Sequence, residues 1–151
     1  HKMMKNKLPL TLDEFRSIYS KVPRATVEVC IIGEEGIVLT KRSIEPCVGQ
    51  WHIPGGTVYF GESPEDAVHR VAMNECGVEV QIEKLVGTIS YPDMLKNGYY
   101  GWPIGLAYQV KIVGGKLRGS DQGEEIAWFK NVPENTLLEQ ADFVRKELRF
   151  Q

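Results

Sequence analysis

Hydrophobic and polar positions along this chain follow two rhythms, and the changes between them mark out its elements. Thr11-Leu12-Asp13-Glu14 has the capping-box pattern, and Leu12, Phe15, Ile18, Tyr19 and Val22 follow at helical spacing until Pro23 stops the run. From Ala25 to Ile32 the period becomes two, with Val27, Val29 and Ile31 on one face and Glu28, Cys30 and Ile32 on the other. Gly33-Glu34-Glu35-Gly36 turns the chain into a hairpin partner, Ile37 to Lys41. Ser43 to Gln50 reads as loop, followed by Trp51-His52-Ile53-Pro54-Gly55-Gly56, where two glycines let backbone turn or come close to another group.

Further strands are expected at Val78 to Ser90, at Ile104 to Val113 and at Glu125 to Phe129, the first two separated by a long connection holding Asn97-Gly98. A closing helix is expected from Thr136 to Leu148, with Leu137, Leu138, Ala141, Val144 and Leu148 on one side. The reading is a single α/β domain over residues 10–151, its sheet covered by helices on both faces, behind a tail of residues 1–9.

The segment from Ser63 to Gly77 is a helix with marked ends: Ser63 as N-cap, Pro64 at the first position, Glu65 and Asp66 in the first turn and Gly77 as the stop. Advancing about 100° per residue from Ala67 puts Val71 at roughly 40°, Glu75 at roughly 80°, Val68 at roughly 100° and Ala72 at roughly 140°. Glu75 therefore falls in the middle of the apolar stripe. An unpaired carboxylate there is costly to bury, so it bends to solvent, pairs with a basic neighbour or meets a cation. Gly55 and Gly56 can offer carbonyl oxygens, and Glu62 is a second acid just before the N-cap. Oxygen donors alone suit Mg²⁺ or Mn²⁺ sharing its other positions with water and a substrate phosphate. Arg70, at roughly 300° on the wheel, can hold Glu62 or a phosphate oxygen, or pair with Asp66.

Charge sharpens this picture. Among 151 residues, 18 Lys and Arg face 20 Asp and Glu, a net charge of −2. No overall positive field is available for a nucleic acid or an anionic membrane, so an anionic ligand must be met locally. Cys30, Cys47 and Cys76 have no ligand-like spacing and read as reduced thiols of a cytoplasmic protein. No apolar run reaches the about 18 residues of a membrane span, and the start lacks the core of a signal peptide. His1 ahead of Lys2 and Met3 reads as a tag remnant.

Gly56, Glu62 and Arg70-Val71-Ala72-Met73-Asn74-Glu75-Cys76-Gly77-Val78 together resemble the Nudix box, and Trp51 to Gly56 resembles its usual lead-in. The resemblance implies an α/β/α sandwich with a mixed sheet and a Mg²⁺- or Mn²⁺-dependent hydrolase of a nucleoside diphosphate compound. In this comparison Gly56, Glu62 and Gly77 are structural positions of the box. Two of its glutamates are replaced, by Val71 and Asn74, and only Glu75 stands. Those missing acids, with Leu10, Glu14-Phe15, Pro23, Glu28, Lys41-Arg42-Ser43, Gln50-Trp51 and Gln122 ahead of Trp128, make the chain most similar to the GDP-mannose mannosyl hydrolases, which cleave the sugar's C–O bond.

The same resemblance implies Gly55 (carbonyl), Glu75 and Gln122 as metal ligands, Arg42 and Arg70 as diphosphate contacts, and Glu28 as an acid lining the sugar site. It also exposes two departures. The branch's general base, a histidine after the glutamine, is Gly123 here, and an arginine after the two glycines, which stabilises the leaving diphosphate, is Thr57. Glu124 and Glu125 are the chemically able replacements for the base, ahead of His52 and His69. The alternatives are phosphoanhydride (P–O) hydrolysis of an NDP-sugar or nucleotide, and a sugar-nucleotide-binding domain with little catalysis. The first helix, with Leu8, Leu10 and Phe15, either packs across a two-fold partner to form a homodimer, as in the resembled branch, or packs on its own sheet.

Overall fold

The structure is a computed structural model that describes residues 10–43, 47–120 and 124–151. Leu8 and the rest of the tail, and Gln122 with Gly123, lie outside the described residues. In chain order the elements are α1 (Leu12–Tyr19), β1 (Arg24–Gly33), β2 (Gly36–Lys41), β3 (Trp51–His52), β4 (Gly55–Thr57), α2 (Pro64–Cys76), β5 (Val78–Ser90), α3 (Asp93–Lys96), β6 (Pro103–Gly115), β7 (Glu125–Phe129) and α4 (Leu138–Glu147).

The sheet is mixed. β1 runs parallel to β6, which pairs antiparallel with β5. The other side of β1 is shared: its first half pairs with β4 and its last residues with β2, which also pairs with β3 and β7. Two short strands, β3 and β4, thus stand where the sequence shows only a glycine-containing approach to the helix. They are too short for any periodicity to register.

Both faces of β1 are buried, and the period of two assigns each face a helix. Val27, Val29 and Ile31 pack with Ala67, Val68, Val71, Ala72 and Cys76 of α2. Cys30 packs with Ile53, Ala107, and Ala141 and Val144 of α4 on the opposite side. The α/β arrangement with helices on both faces is as the patterns imply. One assignment is corrected: Leu138 is 58% exposed, and the buried side of α4 is Gln140, Ala141 and Val144. The helix starts at Leu138, later than the pattern suggests, with Leu138 outward and Gln140 inward, where its side chain bonds the Ile53 N–H.

Both predicted caps are formed. In α1, Thr11 Oγ1 accepts from the Glu14 N–H and Glu14 Oε1 accepts from the Thr11 N–H, though α1 buries no residue fully. In α2, Ser63 Oγ accepts from the Asp66 N–H, and Gly77 ends the helix at φ 72°. A Cβ on Gly77 would stand 2.6 Å from Arg118 Cγ and 2.9 Å from the Lys116 carbonyl oxygen.

The Gly77→Ala variant is therefore expected to lose roughly 1–3 kcal/mol, read as a fall of several degrees in Tm, because backbone strain adds to the contact. An unchanged Tm would contradict this account of the helix stop.

Candidate active site

Two cavities meet at β4. One, of about 190 Å³, is lined by Arg24, Glu28, Arg42, His52, Tyr91 and Gln140 among others; the second, of about 280 Å³, by Phe15, Tyr19, Tyr59, Arg70, Asn74 and Glu75 among others. Gly55 and Gly56 belong to both linings. The pair of glycines leaves no side chain between the two spaces. Neither reaches the size usual for small-molecule sites, about 300–1,000 Å³, but together they do.

Glu28 lies on the face of β1 directed at α4 and is 6% exposed. Its Oε2 accepts from the Tyr91 hydroxyl and, at 3.4 Å, from Gln140 Nε2. Gln140 Nε2 also reaches the Tyr91 oxygen at 2.9 Å, while its Oε1 accepts from the Ile53 N–H at 2.6 Å. A Cβ on Gly55 would fall 2.5 Å from Glu28 Oε1, and one on Gly105 would fall 2.7 Å from Oε2. The carboxyl thus occupies a slot that only glycine neighbours leave open. Burial pushes it up to about 7, opposed by the Tyr91 hydrogen bond and by His52, Arg24 and Gln140. Tyr91 and Gln140 are absent from the sequence reading, because nothing in their local pattern distinguishes them from loop and helix residues.

On the other side of β4, α2 places Glu75 half-buried on the cavity wall with Asn74 and Val71. Its azimuth is the one calculated, but burial is incomplete because that part of the stripe faces the glycines of β4; Cys76 takes the last buried position. The antiparallel alternation also orients Gly55. Val29 N–H bonds the Pro54 carbonyl and Val58 N–H bonds that of Ala25, so the Glu28–Gly55 pair between them is of the non-hydrogen-bonded kind. The Gly55 carbonyl then points off the outer edge of β4, the direction in which the Thr57 carbonyl meets Arg70. A carbonyl and a carboxylate on one cavity form a hard-oxygen donor set that fits Mg²⁺ or Mn²⁺. Among the described residues no cluster of three or more His, Cys, Asp or Glu side chains is assembled, so such an ion has to draw further donors from amide groups, water or substrate.

Arg70 forms a bidentate pair with Glu62: Nε donates to Oε2 at 2.7 Å and Nη2 to Oε1 at 3.0 Å. Nη2 also donates to the Thr57 carbonyl at 2.7 Å, and the guanidinium lies 3.8 Å from the Tyr59 ring centre. Of the partners considered from sequence, Glu62 is the one found. Burial works to raise Glu62, but the Arg70 and Tyr59 hydrogen bonds and the Arg70 charge outweigh it and hold its carboxyl below the ordinary range. This pair fixes the segment between β4 and α2. It leaves Arg70 with two of its three nitrogens engaged within the fold.

The adjacent acids Glu124 and Glu125 part company. Glu125 is exposed and registers opposite Lys41 on β2. The Glu124 side chain is 11% exposed, with its Oε2 3.9 Å from His52 Nε2. The His52 ring foremost, with Arg42 and Ser120, holds it below the ordinary carboxylate range against the effect of burial. His52 itself is tied at both nitrogens, Nδ1 to the Ile53 carbonyl and Nε2 to Thr40 Oγ1, each at 3.0 Å. His69 is exposed on α2. Arg24, another residue without a sequence signal, also enters here: Nη1 donates to Thr57 Oγ1 at 2.8 Å and Nη2 to the Tyr99 hydroxyl at 3.2 Å.

The Glu28 slot has a measurable consequence. Between pH of about 4.5 and about 7 the folded protein keeps a proton on Glu28 that the unfolded chain has released, so this group's contribution to stability falls as pH rises through that window. Glu28→Gln, which mimics the protonated form, is expected to match the parent near pH 4 and to be more stable by about 2–3 kcal/mol above pH 7. Denaturant titrations at both pH values check this; a constant difference between the two proteins would refute it.

The sequence model of the NUDIX domain matches residues 22–148. The low-salt glycan biosynthesis protein Agl8 of Haloferax volcanii is 43% identical over 79 residues, covering 52% of this chain and 51% of that protein. The ADP-ribose pyrophosphatase of Methanocaldococcus jannaschii is 32% identical over 113 residues, 74% of this chain and 65% of that one. The chain thus spans about half to two thirds of the length of these relatives. Among solved structures, a MutT Nudix hydrolase from Burkholderia pseudomallei superimposes with a TM-score of 0.74 at 24% identity, covering 83% of this chain and 98% of its own. That likeness concerns the fold. With the family match extending over most of its length, the chain belongs to the Nudix domain family.

Proposed function

We propose that this domain hydrolyses a nucleoside diphosphate sugar of the GDP-mannose kind, by attack of water on the sugar's anomeric carbon. The observation that carries the reading is the wall of α2 at the second cavity, where Val71, Asn74 and Glu75 stand side by side with a single carboxylate among them. Attack at phosphorus in this family relies on further acids at those places, and attack at carbon does not. The name of the Haloferax relative supports a sugar-related substrate, whereas that of the Methanocaldococcus relative favours P–O cleavage.

The two cavities suit the two ends of such a molecule. Glu28, Tyr91 and Gln140 present a hydroxyl-binding surface in the first, and Phe15, Tyr19 and Tyr59 an aromatic one for a base in the second. Gly55 and Glu75, with Gln122 from outside the described residues, would hold Mg²⁺ or Mn²⁺, which supplies charge stabilisation for the leaving diphosphate. Arg42 meets the diphosphate, and Arg70 positions the segment between β4 and α2 through Glu62. Glu124, charged and largely enclosed beside His52 and Arg42, takes the proton of the attacking water as its oxygen bonds to carbon. The C–O bond breaks with its electron pair on the departing nucleoside diphosphate.

Reaction in ¹⁸O-labelled water is expected to put the label in the free sugar; label in the nucleoside diphosphate would replace this mechanism with P–O cleavage. Over a panel of GDP-, UDP- and ADP-sugars, Glu124→Gln is expected to lower kcat by about 10²–10⁴-fold while Glu125→Gln stays within about twofold. Turnover that survives Glu75→Gln unchanged would end the metal-site assignment.

A further inference from the structure

Resting on the reading above that a diphosphate lies at Gly55 and Gly56, we propose that Arg24 is a diphosphate-binding residue, supplying from β1 the cation that position 57 lacks. Three observations lead to it. First, the guanidinium reaches both halves of the site: Arg24 lines the polar cavity, while its Cζ lies 5.2 Å from the Phe15 ring centre and 5.9 Å from that of Tyr19, two walls of the aromatic one. Its Nη1 is anchored on Thr57 Oγ1, next to the two glycines.

Second, its charge is only partly met within the fold: the buried Glu28 carboxyl feels it without pairing to it. The recorded partners of its five N–H groups are two neutral hydroxyls, and Nε is buried without a hydrogen-bond partner. It forms no ion pair with a described residue. A half-buried guanidinium hydrogen-bonded to neutral oxygens and flanked by aromatic faces keeps an attraction for an anion, and an enclosed donor left unsatisfied is costly unless a ligand uses it. Third, one of the two arginines expected from sequence to meet the diphosphate is otherwise engaged, since Arg70 spends Nε and Nη2 on Glu62 and Thr57. Thr57 is then the seat of an arginine from another strand rather than a lost charge.

Inorganic diphosphate, titrated calorimetrically with EDTA present, tests the residue apart from both metal and turnover. Arg24→Gln is expected to weaken binding about 10- to 100-fold, with Arg24→Lys intermediate because charge is kept and the fork lost. Phe15→Leu, which removes the ring beneath the guanidinium but keeps the charge, is expected to stay within about twofold. In the parent protein the Arg24 Nε–H resonance is expected to shift on adding diphosphate, a measurement that needs no variant to fold. The proposal is overturned if the parent protein does not bind diphosphate, if that resonance does not move, if Arg24→Gln binds as the parent does, or if Phe15→Leu loses as much as Arg24→Gln, which would make Arg24 a support for α1. Arg24-dependent diphosphate binding without turnover of any sugar nucleotide would uphold the anion site and reject the functional reading; turnover with diphosphate binding indifferent to Arg24 would do the reverse.

Discussion

Much of this site follows from one carboxyl group taken out of water in the middle of a sheet. β1 has strands on both sides and helices on both faces, so among the described residues the cavity that Glu28 lines is the one opening left to it. Its surroundings are shaped by that. Gly55 on β4 and Gly105 on β6 leave room for its oxygens, and Tyr91 and Gln140 come in from the connection after β5 and from α4 to hydrogen-bond it. Because the other end of Gln140 takes the Ile53 N–H, the same interaction sets the C-terminal helix against the approach to β4. A methylene in place of the carboxyl would relieve the burial cost and leave those partners facing nothing.

The fold handles its enclosed charges in two ways, and the difference decides what remains for a ligand. Glu62 and Arg70 neutralise each other in a two-point pair and give rigidity to the segment leading into α2. Arg24 is held by hydroxyls and rings, and the Glu28 carboxyl feels its charge without pairing to it. A buried pair contributes little net energy and much geometry, whereas a cation without a counter-ion retains its field for whatever enters. The acidic net balance of the chain conceals this, because a count cannot tell a cancelled charge from a reserved one.

The parts of the molecule legible in the sequence are those governed by local rules. The ends of α2 were readable because Ser63, Pro64 and Gly77 each satisfy a requirement of a helix terminus, and Glu75 because its azimuth follows from position alone. β7 was equally legible, as five mostly apolar residues between a loop and a polar turn. What escaped was assembled across the chain. Gln140 meets Glu28 over a separation of 112 residues, Tyr91 meets Glu28 over one of 63, and neither has a pattern around it to announce the meeting. The start of α4 failed for a related reason: Leu138 suits an apolar face by type, but the helix phase is set by Gln140 fitting the Glu28 slot.

The wall of the aromatic cavity is built on a weakly anchored element. α1 has eight residues and none of them is fully buried; Phe15 and Tyr19 rest on Arg24 and Tyr100 rather than in the core. Its opening costs little of the global free energy, so this helix belongs to the low-stability end of the molecule's local unfolding units. Any ligand that fills the space beneath it therefore spends part of its binding energy on holding the helix in place, and amide exchange in α1 becomes a gauge of occupancy while the sheet stays protected.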